Sequence, residues 1–168
     1  MNLDSVKLRA TEDNDRYALA KICESNTELY DPIMPGAFLT QASKYRDSGI
    51  PTTYHVEMIE YENQCIGFVG TLSLNKKCHY LVALYLHKEW QRKGVGEVVL
   101  TKLKKNFKES GSAETILLAH NEAVWAKSFY LKNGFEVVSS LENEIKTYRG
   151  GLLKSLFLAN TVLMKCSL

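Results

Sequence analysis

Residues 78–96 read Cys78-His79-Tyr80-Leu81-Val82-Ala83-Leu84-Tyr85-Leu86-His87-Lys88-Glu89-Trp90-Gln91-Arg92-Lys93-Gly94-Val95-Gly96. After Tyr80 the first part is almost continuously apolar, the pattern expected of a strand buried on both faces. A short basic loop follows, and then two glycines one residue apart, Gly94 and Gly96, where a helix begins. Val95, Val99, Leu103 and Phe107 form its apolar stripe, and Gly111 stops it. The first N–H groups of a helix have no internal partner and sit at the positive end of its dipole. Phosphate oxygens satisfy them where no side chain blocks the approach, and glycine removes that block. Arg92 and Lys93 add charge beside the same oxygens. The segment therefore reads as a pyrophosphate cradle. It is not the dinucleotide fingerprint, whose third glycine would fall at Val99, nor a P-loop, which needs Gly-Lys-Ser/Thr at its end.

Working outward, alternation over Val6, Leu8 and Ala10 indicates a first strand. Thr11 is placed to cap a helix over Glu12–Ser25, and Tyr30–Gly36 carries two prolines that exclude regular helix. Phe38, Ala42 and Tyr45 mark a second helix closed by Gly49. Thr53–Tyr61 and Cys65–Leu74 form a hairpin across Glu62-Asn63-Gln64, and Asn75-Lys76-Lys77 turns into the 78–86 strand. Beyond the 95–109 helix, Thr115–Ala119 is a short strand, parallel to Cys78–Leu86 because a helix intervenes. Ala123–Lys132 is helical and ends at Asn133-Gly134, Phe135–Ser139 is a strand, and Thr161–Lys165 is a final strand. The expected fold is α/β with a mixed, mostly antiparallel sheet flanked by helices and splayed at its parallel pair. No repeat or linker divides it, so residues 1–168 are read as one domain.

With 45% hydrophobic and 24% charged residues, the chain of 168 is neither disordered nor fibrous. No apolar run approaches the roughly 20 residues of a membrane span, and Met1–Arg9 lacks a signal-like stretch. Cys23, Cys65, Cys78 and Cys166 are scattered with no metal spacing, so free thiols in a reducing compartment are expected, with no metal. A cytoplasmic location and no membrane partner follow as expectations. Net charge is +2, too small to indicate nucleic acid. Residues 87–108 nevertheless carry seven basic and two acidic side chains, a local +5 that leaves −3 for the rest. Such a run is either a solvated helix face or a site for a small polyanion; the loop before it favours the anion.

Gln91-Arg92-Lys93-Gly94-Val95-Gly96 resembles Gln/Arg-x-x-Gly-x-Gly/Ala, the acyl-coenzyme A signature of the GNAT superfamily of N-acetyltransferases. Leu84-Tyr85-Leu86 looks like the strand before that loop, and Ser128-Phe129-Tyr130-Leu131-Lys132-Asn133-Gly134-Phe135 like the family's Tyr-x-x-x-Gly-Phe segment. Strong similarity covers about Gln64–Val138. The resemblance implies acetyl-CoA as co-substrate. It implies backbone groups of Leu84, Tyr85 and Leu86 on the pantetheine arm and thioester, and N–H groups of 92–96 on the pyrophosphate. It further implies Asn121 on the arm, Lys127 and Lys132 within reach of phosphates, and Tyr130 as general acid. Many relatives carry a glutamate where this chain has Tyr80, so the base is left open among Tyr80 or water relay, His79 and Glu57.

The resemblance also implies an amine acceptor, read first as a small molecule, with a peptide or protein amine as the alternative. A non-catalytic acyl-CoA module and a nucleic-acid binder using Lys102–Lys108 stand as alternatives. Tyr30, Asp31 and Met34 are candidate acceptor contacts on a loop. Asp31 either attracts a cationic amine or serves the Asp-Pro turn. The assembly is expected to be a monomer or homodimer.

Overall fold

A computed structural model describes all residues 1–168. Seven strands are hydrogen-bonded in the order β1-β2-β3-β4-β5-β7-β6. They are β1 Lys7–Ala10, β2 His55–Tyr61, β3 Gln64–Asn75, β4 Cys78–Leu86, β5 Glu114–His120, β6 Glu136–Ser139 and β7 Thr161–Ser167. The helices are α1 Asp15–Ser25, α2 Thr27–Tyr30, α3 Ala37–Ser48, α4 Val95–Glu109, α5 Val124–Lys132 and α6 Glu142–Gly151. The chain forms two compact units, Met1–Leu72 with Val82–Leu103, and Ser73–Leu81 with Lys104–Leu168.

In the first unit β1, β2 and β3 pair antiparallel. The β2–β3 connection is a two-residue hairpin: Glu62 and Asn63 both have positive φ, 49° and 63°, between the paired Tyr61 and Gln64. Positive φ at both central residues is the type I′ pattern, whose twist matches that of the strands. Period-two alternation sends Val56, Met58 and Phe68 to one face. There they meet Leu19, Ile22 and Cys23 of α1 and Phe38, Ala42 and Tyr45 of α3. This cluster is the unit's core; truncating a fully buried member such as Phe68 costs about 3–5 kcal/mol. Asp15 is buried at the start of α1, paired with Arg9 at 2.7 Å, and Arg9 also reaches Glu60 at 2.6 Å.

In the second unit the parallel ladder joins Cys78, His79 and Tyr80 of β4 to Glu114, Thr115 and Ile116 of β5. β5 pairs antiparallel with β7 along its whole length, and β7 with β6. Ile116, Leu117, Leu163 and Met164 are buried. Lys104 donates to the Asn133 carbonyl at 2.8 Å, capping the C-terminus of α5.

Two expectations are corrected, and two details are added. β4 is buried only over its first half, since Val82–Leu86 are half-buried. Thr11 does not cap α1: that helix begins at Asp15 after Asn14, and the Thr11 hydroxyl donates to the Val56 carbonyl. Cys65 is half-buried against the first unit's core, with Arg9 and Glu60 beside its sulfur. The 139–161 connection holds α6, unread in the sequence because Ile145 is its one buried residue.

Candidate active site

In the first unit the site is built on the end of β4. His87 N–H donates to Ile66 of β3 at 2.9 Å. Peptide directions alternate along a strand, so the N–H groups of Leu84 and Leu86 point to the opposite edge. The ladder to β5 stops at Tyr80, so that edge is open along Val82–Leu86. Tyr85 packs its ring against Phe38 at 5.0 Å, Phe68 at 5.6 Å and Tyr30 at 5.9 Å, which anchors the strand from the side chain.

A single turn of 3-10 helix, Lys88–Trp90, leads out of β4. The ring of Trp90 lies 5.3 Å from that of Tyr61, and Lys93 Nζ sits 5.2 Å over Trp90. Arg92 and Gly94 both take positive φ, 58° and 80°. Gly94 serves two needs, its left-handed backbone and a Cβ position only 3.1 Å from Leu3. After Gln91 N–H bonds Lys88, the next backbone donor engaged outside the regular helix is Val98 N–H to Gly94 at 3.2 Å. The amides of Val95, Gly96 and Glu97 thus open the fifteen-residue α4 without internal acceptors. With exposed Arg92 and Lys93 beside them, they fit an anionic phosphate group.

Two residues that sequence reasoning missed hold this loop. Asn26, 2% exposed between α1 and α2, donates to the Leu86 carbonyl at 2.9 Å and accepts from Gln91 Nε2 at 2.7 Å. Ser25 Oγ accepts Lys88 N–H at 3.2 Å. An asparagine after a helix signals a C-cap but says nothing of partners sixty residues away.

Of the acceptor candidates, Tyr30 stacks on Phe38 at 4.2 Å and Met34 packs against the same core. Asp31 accepts Gly36 N–H at 3.1 Å, serving the turn. Glu57 is half-buried on β2, with His55 Nε2 3.8 Å from its carboxylate.

In the second unit Tyr80 is buried, and the Leu118 N–H donates to its hydroxyl. Burial pushes its phenol up to about 12. His79 stacks on Phe107 at 4.2 Å with Nδ1 2.6 Å from Ser112 Oγ, and burial lowers its pKa from the ordinary 6.5. Asn121 donates from its N–H to the Asn160 carbonyl at 2.8 Å and from its side chain to Asn160 Oδ1 at 3.3 Å. Asn160, with φ of 56°, is thereby a further residue the sequence did not reveal. Tyr130 is half-buried on α5, edge-on to Phe129 at 5.2 Å and Phe135 at 5.3 Å. Lys127 is half-buried and Lys132 exposed on the same helix.

An open strand edge, a basic turn and a helix opened by glycines follow one another along the first unit of an α/β protein. The sequence model of the acetyltransferase (GNAT) family matches residues 23–135, and the chain belongs to that family. A spermidine N(1)-acetyltransferase of Thermoplasma acidophilum is 34% identical over 76 residues, 45% of this chain and 47% of that protein. The match thus spans about half the length of that relative. Among solved structures, the PaiA N-acetyltransferase of Thermoplasma acidophilum in complex with coenzyme A superposes with a TM-score of 0.67 at 19% identity, covering 98% of this chain and 99% of that one. An acetyltransferase from Thermus thermophilus gives 0.73 at 11% identity, with both chains fully covered. At such identities the likeness is one of fold. No helix is long and apolar enough to cross a membrane.

Proposed function

We propose that the chain moves the acetyl group of acetyl-CoA directly to a primary amine of a small molecule. One observation carries the reading: the open-edge N–H groups of Leu84 and Leu86 are followed in the chain, after the 3-10 turn, by the acceptor-free amides of Val95–Glu97. A strand-like amide arm followed by a diphosphate matches that order of donors. When bound, acetyl-CoA supplies an activated thioester. The Leu84 and Leu86 amides orient and polarise its carbonyl, as preorganised donors do for developing negative charge. Amides of Arg92–Gly96 hold the pyrophosphate, with Gln91 bracing the loop, and Asn121, Lys127 and Lys132 are assigned supporting contacts to the arm and phosphates. Tyr130 gives its phenolic proton to the departing sulfur. Proton loss from the amine, ordinarily protonated below pH ~10.4, is assigned to water.

The small-molecule assignment is supported by the two half-buried tyrosines, Tyr30 and Tyr85, that border the core ring of Phe38. The half-length match to a spermidine acetyltransferase points the same way. Calorimetry with coenzyme A, and thiol release from acetyl-CoA against polyamines, aryl-alkyl amines and a peptide library, test the reading. Heat of binding and turnover with small amines are expected. No heat with coenzyme A refutes the acetyl-CoA assignment, and turnover with peptides alone refutes the acceptor class.

A further inference from the structure

We propose that Asn26 is a positioning residue for the acyl-CoA site, one that ends the open edge of β4 at Leu86 and fixes Gln91 at the mouth of the cradle; this rests on the acetyl-CoA reading above. Asn26 uses its amide in both senses. Nδ2 donates to the carbonyls of Ile22 at 2.8 Å and Leu86 at 2.9 Å, while Oδ1 accepts from Gln91 at 2.7 Å. Gln91 Nε2 reaches the same Leu86 carbonyl at 3.2 Å. The peptide between Leu86 and His87 is therefore held from both sides, its N–H by Ile66 of β3 and its C=O by two side-chain amides.

That arrangement decides what the edge can offer. A carbonyl at the end of an open strand accepts from any chain that adds alongside it. With the Leu86 carbonyl capped, the ladder cannot extend past it, and the last donors on that edge are the N–H groups of Leu84 and Leu86. The cap also fixes where β4 turns toward α4, because Gln91 precedes the positive-φ Arg92 by one residue. A buried group that donates twice, to Ile22 and Leu86, and also accepts, from Gln91, is needed for this, and asparagine is the shortest side chain that supplies it. Asn26 acts through Leu86 and Gln91 rather than on the reacting atoms.

The test compares wild type, Asn26→Ala, Asn26→Asp, Gln91→Ala and the Asn26→Ala/Gln91→Ala double variant. The readouts are coenzyme A affinity by calorimetry, KM and kcat for acetyl-CoA, and the melting temperature. Asn26→Ala is expected to weaken coenzyme A binding about tenfold and raise KM similarly, with kcat within about threefold, the scale of one buried hydrogen-bonded amide. Asn26→Asp keeps an acceptor for Gln91 but brings a second acceptor against the Leu86 carbonyl, so it loses at least as much. The double variant is expected to be little worse than the poorer single one, since both act on one carbonyl.

A purely structural Asn26 would lower the melting temperature and leave affinity within twofold; that result, in the folded variants, overturns the proposal. If Asn26→Ala does not fold, Asn26→Asp and Gln91→Ala decide it by the same affinity criterion. Absence of coenzyme A heat from wild type refutes the acetyl-CoA reading and the positioning role with it. Wild-type heat with unaltered variants refutes the positioning role alone.

Discussion

Gly67 of β3 has no room for a methyl group. A Cβ there would lie 2.6 Å from the Tyr85 carbonyl oxygen, 2.7 Å from Leu86 Cδ2 and 3.1 Å from Ile59 Cδ1. The leucine methyl can swing aside, but the Tyr85 carbonyl is strand backbone within the proposed acyl-CoA edge. Forcing a methyl into a packed site costs about 1–3 kcal/mol. Loss of glycine's freedom in the unfolded chain offsets about 0.4–1 kcal/mol of that. Gly67→Ala should therefore destabilise by about 1–2 kcal/mol, or about 2–8 °C in melting temperature for a chain of this size. Gly70→Ala is the internal comparison. Its nearest neighbour is the Tyr54 ring, at 2.8 Å, a half-buried side chain that can turn away. The same substitution three residues along should cost less. Thermal unfolding followed by circular dichroism measures both. A Gly67→Ala midpoint at or above wild type, or a larger fall for Gly70→Ala, would refute the argument that β3 and β4 meet backbone to backbone at this point.

Tyr130→Phe should lower kcat for thiol release by about 100-fold, the lower end for a general acid, with coenzyme A affinity unchanged; equal turnover would remove Tyr130 from that role. Arg9 grips Asp15 through two bonds of 2.7 and 2.9 Å and holds its carboxyl below the ordinary 3.8. The unfolded chain then takes the proton first, so this stability is full above pH ~5 and is lost as pH falls through 3.8 toward the folded value. Urea midpoints measured against pH should show that acid limb flattened in Arg9→Met, and an unchanged limb would count against the pair. At the type I′ hairpin, Glu62→Asn with Asn63→Gly should raise the melting temperature by about 1–4 °C, because both positions have positive φ. A fall would mean that the Glu62 side chain contributes more than its backbone costs.

The parts of the molecule legible in the sequence are those whose signal is local. β4 and α4 have the bounds read from residues 78–109, because a long apolar run and a 3.6-residue stripe are closed by turn residues on each side. The glycine-flanked start of α4, proposed as the cradle, was legible for the same reason: its signal lies within six residues. What could not be read depends on distance. Thr11 has the chemistry of a cap but spends its hydroxyl on Val56, forty-five residues away. Asn26 and Asn160 are polar residues at element ends whose value lies in partners across the fold. α6 lacked the apolar stripe by which helices announce themselves, and Arg149, Gly150 and their positive φ values break it before Gly151.

The same distinction bears on the proton that the acceptor amine must lose. Tyr80 stands where many GNAT relatives carry a glutamate, and it cannot substitute for one. Its hydroxyl already receives the Leu118 N–H, and a phenol pushed up to about 12 does not ionise near neutrality. His79 has a suitable ring but is stacked on Phe107 and bonded to Ser112, and burial favours its neutral form by denying it solvent. A group that gains a proton less readily than free imidazole is a weaker base for an ammonium ion. Glu57 keeps a half-buried carboxylate, but its near neighbour is His55 on its own strand. The open edge of β4, in contrast, is half-buried rather than sealed, and so remains within reach of water. Water can carry the proton away if the amine reaches the site already neutral for part of the time. In the proposed reaction the protein's contribution is therefore orientation and charge stabilisation at Leu84 and Leu86, with no strong base of its own.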